Sequence, residues 1–238
     1  MDLLYAHANN ANKDTKKHNA YVPNNTLFKE SFTICYLILF GTAAITFIEA
    51  IRTNNIHARY ILNLETAVSL TAGFVYGWFR EMASKPDFDL KEIIHYRYID
   101  WMLTTPMLLL VLLLFINFHS KANMHFSLYI VIVLLNFVML MFGYMGERRL
   151  MDKNTAIACG FLAFGAMIWV IYYYFLRKTR SFAPMFLFIF FSIVWCTYGI
   201  AAMLDERNKN LMYNVLDIIS KVFIGLGLWG YYGGIITL

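Results

Sequence analysis

Proline is scarce in this 238-residue chain, with four in all, and cysteine scarcer still. The three cysteines, Cys35, Cys159 and Cys196, fall inside apolar runs and none belongs to a CxxC pair. That excludes the usual spacing of a thiolate metal or redox site and leaves packing as their expected role. Charged residues make up only 15 % of the chain, and the net charge of +5 is not gathered into any patch that would suit a nucleic acid. The N-terminus lacks the apolar stretch of about 7–15 residues that a cleaved signal peptide needs. Residues 1–30 are instead expected to form a retained polar tail, partly disordered. The tail carries the glycosylation-type triplet Asn24-Asn25-Thr26.

What the chain has in abundance is apolar surface: 60 % hydrophobic residues and 18 % aromatic. That composition suits a polytopic membrane protein far better than a soluble domain. Apolar runs recur at 31–52, 58–80, 94–117, 125–146, 155–177, 182–204 and 211–236. Each has about the 20 residues that a helix needs to cross the hydrocarbon core. The connections are short, so residues 31–238 read as one domain, an all-α membrane protein built as a seven-transmembrane-helix bundle. The first helix serves as an uncleaved insertion signal. Loop charges do not orient it. An external N-terminus would leave Arg52, Arg59, Lys121, Arg177, Lys178 and Arg180 inside. It would leave Arg80, Lys85, Lys91, Arg148, Arg149, Lys153, Arg207 and Lys209 outside, against the positive-inside tendency.

Few ionisable residues lie deep in the spans: Glu65, Arg97, Asp100, Asp217 and Lys221, with Glu49 and His95 nearer helix ends. A lone ammonium in hydrocarbon costs from roughly 3 to more than 10 kcal/mol, so intramembrane charges are functional candidates by default. The competing reading is a buried ion-pair network that only fixes helix packing. Lys221 lies far from either interface, and Asp217, four residues earlier on the same helix face, is its expected partner. The third run, HYRYIDWMLTTPMLLLVLLLF, places Arg97, Asp100 and Thr104 on one face. Pro106 removes a backbone hydrogen bond there and loosens the turn that holds Thr104 and Thr105.

RYIDWMLTTP together with DIISK resembles the microbial (type 1) rhodopsins, and the likeness covers all seven spans. It implies that Lys221 carries all-trans retinal as a Schiff base, chemistry that suits a buried amine. Asp100 and Asp217 are then the counterion pair, with Asp100 the proton acceptor, and Arg97 is the gate. The implied retinal pocket is Trp101, Thr105, Leu108, Met139, Gly143, Met167, Trp195 and Tyr198. Tyr76 and Tyr198 would hydrogen-bond Asp217, and Thr104 would tune Asp100. Two positions depart from the family pattern. Gly199 stands where proline is frequent, removing a ring contact and a kink, and Gly160 replaces a pocket tryptophan, loosening the ring end. Leu108 at the tuning position implies green absorption.

Within that family the chain reads as a light-driven outward proton pump. Asp100 argues against chloride pumping, and the sodium-pump pattern on the third helix is absent. Pumps usually place a proton-donating carboxylate seven residues after the threonine, and here that position is Val111. Glu65 is the candidate replacement donor. It lies eleven residues from Tyr76, as Val111 does from Asp100, which is about 16 Å at 1.5 Å per residue. The alternative places Glu65 in solvent at the inner surface, favoured by its helix N-terminus. A light-gated cation channel is the runner-up: Asn214 and Glu65 favour it, Val222 and Ala72 count against it. A photosensor with a separate partner is third, since no signalling domain is fused before Leu238. For proton release, Asp205 and Glu206 read as ordinary loop charges, with Lys209 where a second carboxylate would be expected. The short loops, phenylalanine-rich spans and Trp229 resemble rhodopsins of giant viruses that infect protists. The likeness also implies an external N-terminus, a cytoplasmic C-terminus, a pentamer or trimer in the lipid bilayer, protons or cations as transported ions, no bound metal and no enzymatic activity.

Overall fold

The computed structural model describes residues 25–120, 125–177, 179 and 181–236. Residues 1–24 of the expected tail, including Asn24 of the triplet, lie outside the described residues, as do Lys121, Lys178 and Arg180. Seven helices follow in order: α1 (Asn25–Arg52), α2 (Ile56–Met82), α3 (Leu90–Ser120), α4 (Phe126–Glu147), α5 (Lys153–Leu176), α6 (Phe182–Ala201) and α7 (Glu206–Tyr232). They close into a ring in chain order, with α7 returning to α1, and α3 also touches α6. Residues 25–30, expected in the tail, form the first turns of α1.

The helices overrun the apolar runs because polar caps start them. Asn55 Oδ1 accepts from the His57 and Ala58 amides at 3.0 and 3.3 Å at the head of α2. Asp152 Oδ2 accepts from the Thr155 amide at 3.0 Å, and Asp205 Oδ2 from the Asn208 amide at 3.2 Å. Such side chains satisfy amides that have no partner within the helix. These bonds hold both carboxyls below the usual carboxylate range. Asp205 is thus a helix cap, and α7 begins five residues before its expected span because the polar turn ERNKN is helical.

Six of the helices are long and apolar enough to cross a bilayer. The exception is α2, whose sequence carries Asn63, Glu65, Thr66, Ser69 and Thr71. Those side chains lower its hydropathy, and Glu65, Thr66 and Ser69 among them are buried inside the bundle. Large apolar residues such as Leu37, Phe74, Leu162 and Ile193 face outward, as lipid-facing positions must in the absence of water. Two helices contain a wider π turn, Tyr172–Leu176 in α5 and Ile218–Phe223 in α7. Such turns are frequent at functional sites, and the second holds Lys221.

Candidate functional site

Lys221 is buried in the middle of the bundle, 1 % exposed. Its Nζ donates to Asp100 Oδ2 of α3 at 2.5 Å and lies 3.6 Å from Asp217 Oδ1, one turn back on α7. A buried ammonium needs such partners, because its water is gone and nothing else offsets the lost hydration.

The two carboxylates differ sharply in their surroundings. Asp217 accepts from Tyr76 Oη at 2.6 Å, Tyr198 Oη at 2.7 Å and Trp101 Nε1 at 3.3 Å, and Arg97 Nη1 lies 3.6 Å away. The expected hydrogen bonds from Tyr76 and Tyr198 are both present. Among the described residues Asp100 has only Lys221, and its second oxygen, Oδ1, is buried with no partner. Thr104 does not supply one, because its hydroxyl donates to the Asp100 main-chain carbonyl at 2.8 Å. The expected tuning of the Asp100 carboxylate by Thr104 is therefore corrected: one turn along a helix the backbone oxygen is the nearer acceptor. Thr105 likewise donates to the Trp101 carbonyl at 2.6 Å.

Arg97 is also buried. Its Nη1 donates to Tyr76 Oη at 3.0 Å, Nε to Asn210 Oδ1 at 3.2 Å, and Nη2 to the Asn210 carbonyl at 3.2 Å and to Asn214 Oδ1. The rings of Phe32, Tyr76, Phe79 and Tyr213 surround the guanidinium, with centroids 5.2–5.9 Å away. The arginine thus plugs one side of the bundle with aromatic surface and amides. It reaches Asp217 and Tyr76, and no hydrogen bond or ion pair joins it to Asp100.

Lys221 also lines a cavity. Of the expected pocket residues, Trp101, Thr105, Leu108, Met139, Gly143, Trp195 and Tyr198 line it. Met167 does not. It is fully buried in the core, two turns beyond Gly160, and α5 lines the cavity instead with Ala156, Ile157, Gly160, Phe161 and Phe164. Gly160 leaves open space, since a Cβ there would meet only the Met139 carbonyl at 3.7 Å. At Gly199 the missing ring is replaced from α5: a Cβ would lie 2.5 Å from the Phe161 ring. A cavity of almost wholly apolar lining that includes a primary amine, itself flanked by two carboxylates, fits an apolar ligand joined through an aldehyde carbon.

Glu65 of α2 is fully buried, and neither carboxyl oxygen has a partner among the described residues. This overturns the alternative that placed it in solvent. A Cβ on Gly225, one turn beyond Lys221, would sit 3.3 Å from Glu65 Oε2. Glu65 therefore faces α7 on the side of Lys221 away from Arg97. Beside it Thr46 and Thr66 pair at 2.9 Å, and the buried Ser69 hydroxyl has no partner among the described residues. Val111, at the usual donor position on α3, is buried among apolar neighbours.

Sequence reasoning missed three residues. Asn136 of α4 is fully buried and donates from Nδ2 to Thr105 Oγ1 at 2.7 Å. A lone amide within FSLYIVIVLLNFVMLMF was its available signal. The Ser220 hydroxyl lies 2.9 Å from Tyr198 Oη. Glu147 meets Lys209, which is 1 % exposed and not the loop charge expected; its Nζ donates to Glu147 Oε2 at 2.6 Å and Glu206 Oε1 at 2.9 Å.

A family model described as bacteriorhodopsin-like protein matches residues 28–233. Among solved structures the chain is similar to the viral rhodopsin OLPVRII, with 37 % identity and a TM-score of 0.82 over 89 % of this chain and 100 % of that one. Blue light-absorbing proteorhodopsin from Med12, at 21 % identity and a TM-score of 0.72 over 87 % of this chain and 98 % of that one, shares the fold. A green-light absorbing proteorhodopsin of Gamma-proteobacterium EBAC31A08 is 29 % identical over 154 residues, 56 % of this chain. The chain spans 59 % of the length of that relative.

Proposed function

The chain belongs to the bacteriorhodopsin-like protein family, the microbial rhodopsins, and on that premise we propose that it is a light-driven outward proton pump with all-trans retinal bound through Lys221. The observation that carries the reading is the inequality of the two carboxylates. Asp217 is held by three hydrogen-bond donors and a guanidinium, whereas Asp100 has one donor and a bare buried oxygen. Donors aimed at a carboxylate favour its ionised form. A proton leaving Lys221 therefore goes to Asp100, 2.5 Å away, and Asp217 keeps its charge.

Retinal, when bound, supplies the light-driven change of shape that turns the nitrogen of Lys221 away from one side of the site and toward the other. The chain's own groups set the direction. Asp100 takes the proton on the Arg97 side. Arg97, tied to Tyr76, Asn210 and Asn214, blocks return through the aromatic plug. Glu65, on the far side, is fully buried with no donor to its carboxyl among the described residues, and it rests as the neutral acid because burying an unpaired carboxylate is expensive. It returns a proton to Lys221, and Gly225 leaves its carboxyl the room to face α7.

The network also bears on the channel reading. Asn214, which favoured a channel when only its residue type was known, is committed to Arg97 and to Ser31, donating to Ser31 Oγ at 2.9 Å. It is not a free pore-lining amide. Voltage-clamp photocurrents test the proposal. A current of constant sign across the voltage range is expected. A current that reverses with voltage means a channel, and an absent current means a sensor; either result refutes pumping.

A further inference from the structure

The π turn of α5 plays no part in the site described above. It closes with the bond from the Arg177 amide to the Tyr172 carbonyl at 2.9 Å, five residues back. A wider turn rotates each residue by less than an α-helix does. Three consecutive residues, Tyr172, Tyr173 and Tyr174, are therefore exposed, while Phe175 and Leu176 are buried. Trp169, 59 % exposed, stacks on Tyr173 with ring centroids 5.1 Å apart and planes at 18°. Tyr174 meets Tyr173 edge-on, also at 5.1 Å. The Arg177 guanidinium lies over the Tyr173 ring, 4.2 Å from its centroid. Trp169, Tyr173 and Arg177 thus form a column along the outer side of α5, at steps of four residues.

The charge around this column is of one sign. The helices alternate in direction, so α5 ends on the side of the bundle where α2 begins and Glu65 lies. The neighbours of α5 are α3, α4 and α6. No aspartate or glutamate occurs in 101–146 or 153–204, which hold the adjoining ends of all four helices. Arg177 forms no ion pair among the described residues. A guanidinium held flat on a ring is pre-organised, and its planar fork matches a phosphate. Exposed tyrosine and tryptophan rings favour the boundary between headgroups and hydrocarbon. Trp169 lies eight residues before Arg177, about 12 Å deeper along the helix at 1.5 Å per residue. That is the level of the acyl chains of a lipid whose phosphate sits at Arg177.

We propose that this column is a binding site for an anionic phospholipid of the surrounding bilayer. The phosphate rests on Arg177, the glycerol region on Tyr173 and Tyr174, and an acyl chain on Trp169. The site selects a net negative headgroup: the ammonium of a zwitterionic lipid would need a carboxylate, and this surface has none.

The test uses the full chain with retinal in phosphatidylcholine vesicles that contain a minor share of either phosphatidylglycerol or phosphatidylcholine brominated high in the acyl chains. Bromine quenches tryptophan on contact, and subtracting the emission of Trp169→Phe isolates Trp169. Brominated phosphatidylglycerol should quench Trp169 roughly fivefold more effectively than brominated phosphatidylcholine, the factor that one basic residue at an anionic surface supplies. Arg177→Gln should bring that ratio close to one. Tyr173→Leu should also lower it, although every charge remains, a signature that attraction to a merely basic surface would not give. Arg52→Gln, at the end of α1, should leave it unchanged. The visible absorbance band reports that each variant is folded. Equal quenching by the two lipids, or a preference that survives Arg177→Gln, overturns the site. Absence of quenching by either lipid means that another copy of the chain covers this face, and also overturns it.

Discussion

Glu65→Gln is the most informative single substitution. It keeps the size and burial of the side chain and removes only the transferable proton. The structure sets the scale of the effect. Glu65 lies nine residues from the start of α2 at Ile56, which is about 14 Å of helix at 1.5 Å per residue. Between them Ala58, Ile61 and Leu62 are buried and apolar. Without the carboxyl, a proton must cross that layer from bulk water. A positioned general acid is worth roughly 10²–10⁴-fold, so recovery of the Lys221 proton should slow by about two orders of magnitude. The remaining rate should become proportional to proton concentration, whereas the unaltered protein recovers with little dependence on pH. Flash photolysis of the purified, retinal-loaded protein on either side of neutrality reads both quantities. The substitution should barely alter folding, because the Glu65 oxygens already lack partners and an amide there repeats a cost of about 1–3 kcal/mol that the fold already bears. An unchanged recovery rate with unchanged pH dependence would refute the donor role.

The two site carboxylates should separate cleanly. Asp100→Asn should abolish the photocurrent with a modest loss of stability. Asp217→Asn should also weaken the fold, because it strips the buried Arg97 of its carboxylate, and breaking a buried pair costs roughly 3–5 kcal/mol; thermal loss of the visible band measures the difference. Asp205→Ala should lower thermal stability at neutral pH by removing the α7 cap. The folded-state carboxyl titrates below its ordinary value, so that contribution is complete above about pH 4, the unfolded value, and disappears as the pH falls through the folded one. Melting curves of Asp205→Ala and the unaltered protein should converge in acid, and a gap that persists there would count against the cap.

The core of the site was legible because hydrocarbon makes every charge conspicuous. Lys221, Asp217, Asp100 and Arg97 stand out in apolar runs, and helical spacing alone pairs Lys221 with Asp217. The seven helices were legible for the same reason, but not their ends, where polar turns such as ERNKN continue the helix beyond the apolar run. Thr104 misled because spacing places it on the Asp100 face without saying whether its hydroxyl chooses the carboxylate or the carbonyl. Contacts between distant helices were hidden. Nothing local links Glu147 to Lys209, 62 residues apart, or Asn136 to Thr105. Glu65 was ambiguous because burial depends on the helices packed around it. Thr42 and Thr46 of α1 and Gly225 of α7 decide it, and none of the three belongs to the helix that carries Glu65.

The π turn over Ile218–Phe223 changes the counting of α7. It accommodates one residue more than an α-helix would, so the stretch behaves as an insertion absorbed without a loop. Residues before it, including Asn210, Asn214 and Asp217, keep one rotational phase, and residues after it, including Gly225, keep another. Deleting a single residue within 218–223 would restore the regular helix and leave the far half facing as it does now, whereas the same deletion in a regular part of α7 before Gly225 would swing the far half by about 100°. Only in the second case would Gly225 leave the α2 face and a different side chain meet Glu65. The helix therefore carries its own frame marker, which makes the alignment of the outer proton network with the inner one a matter of one residue's length.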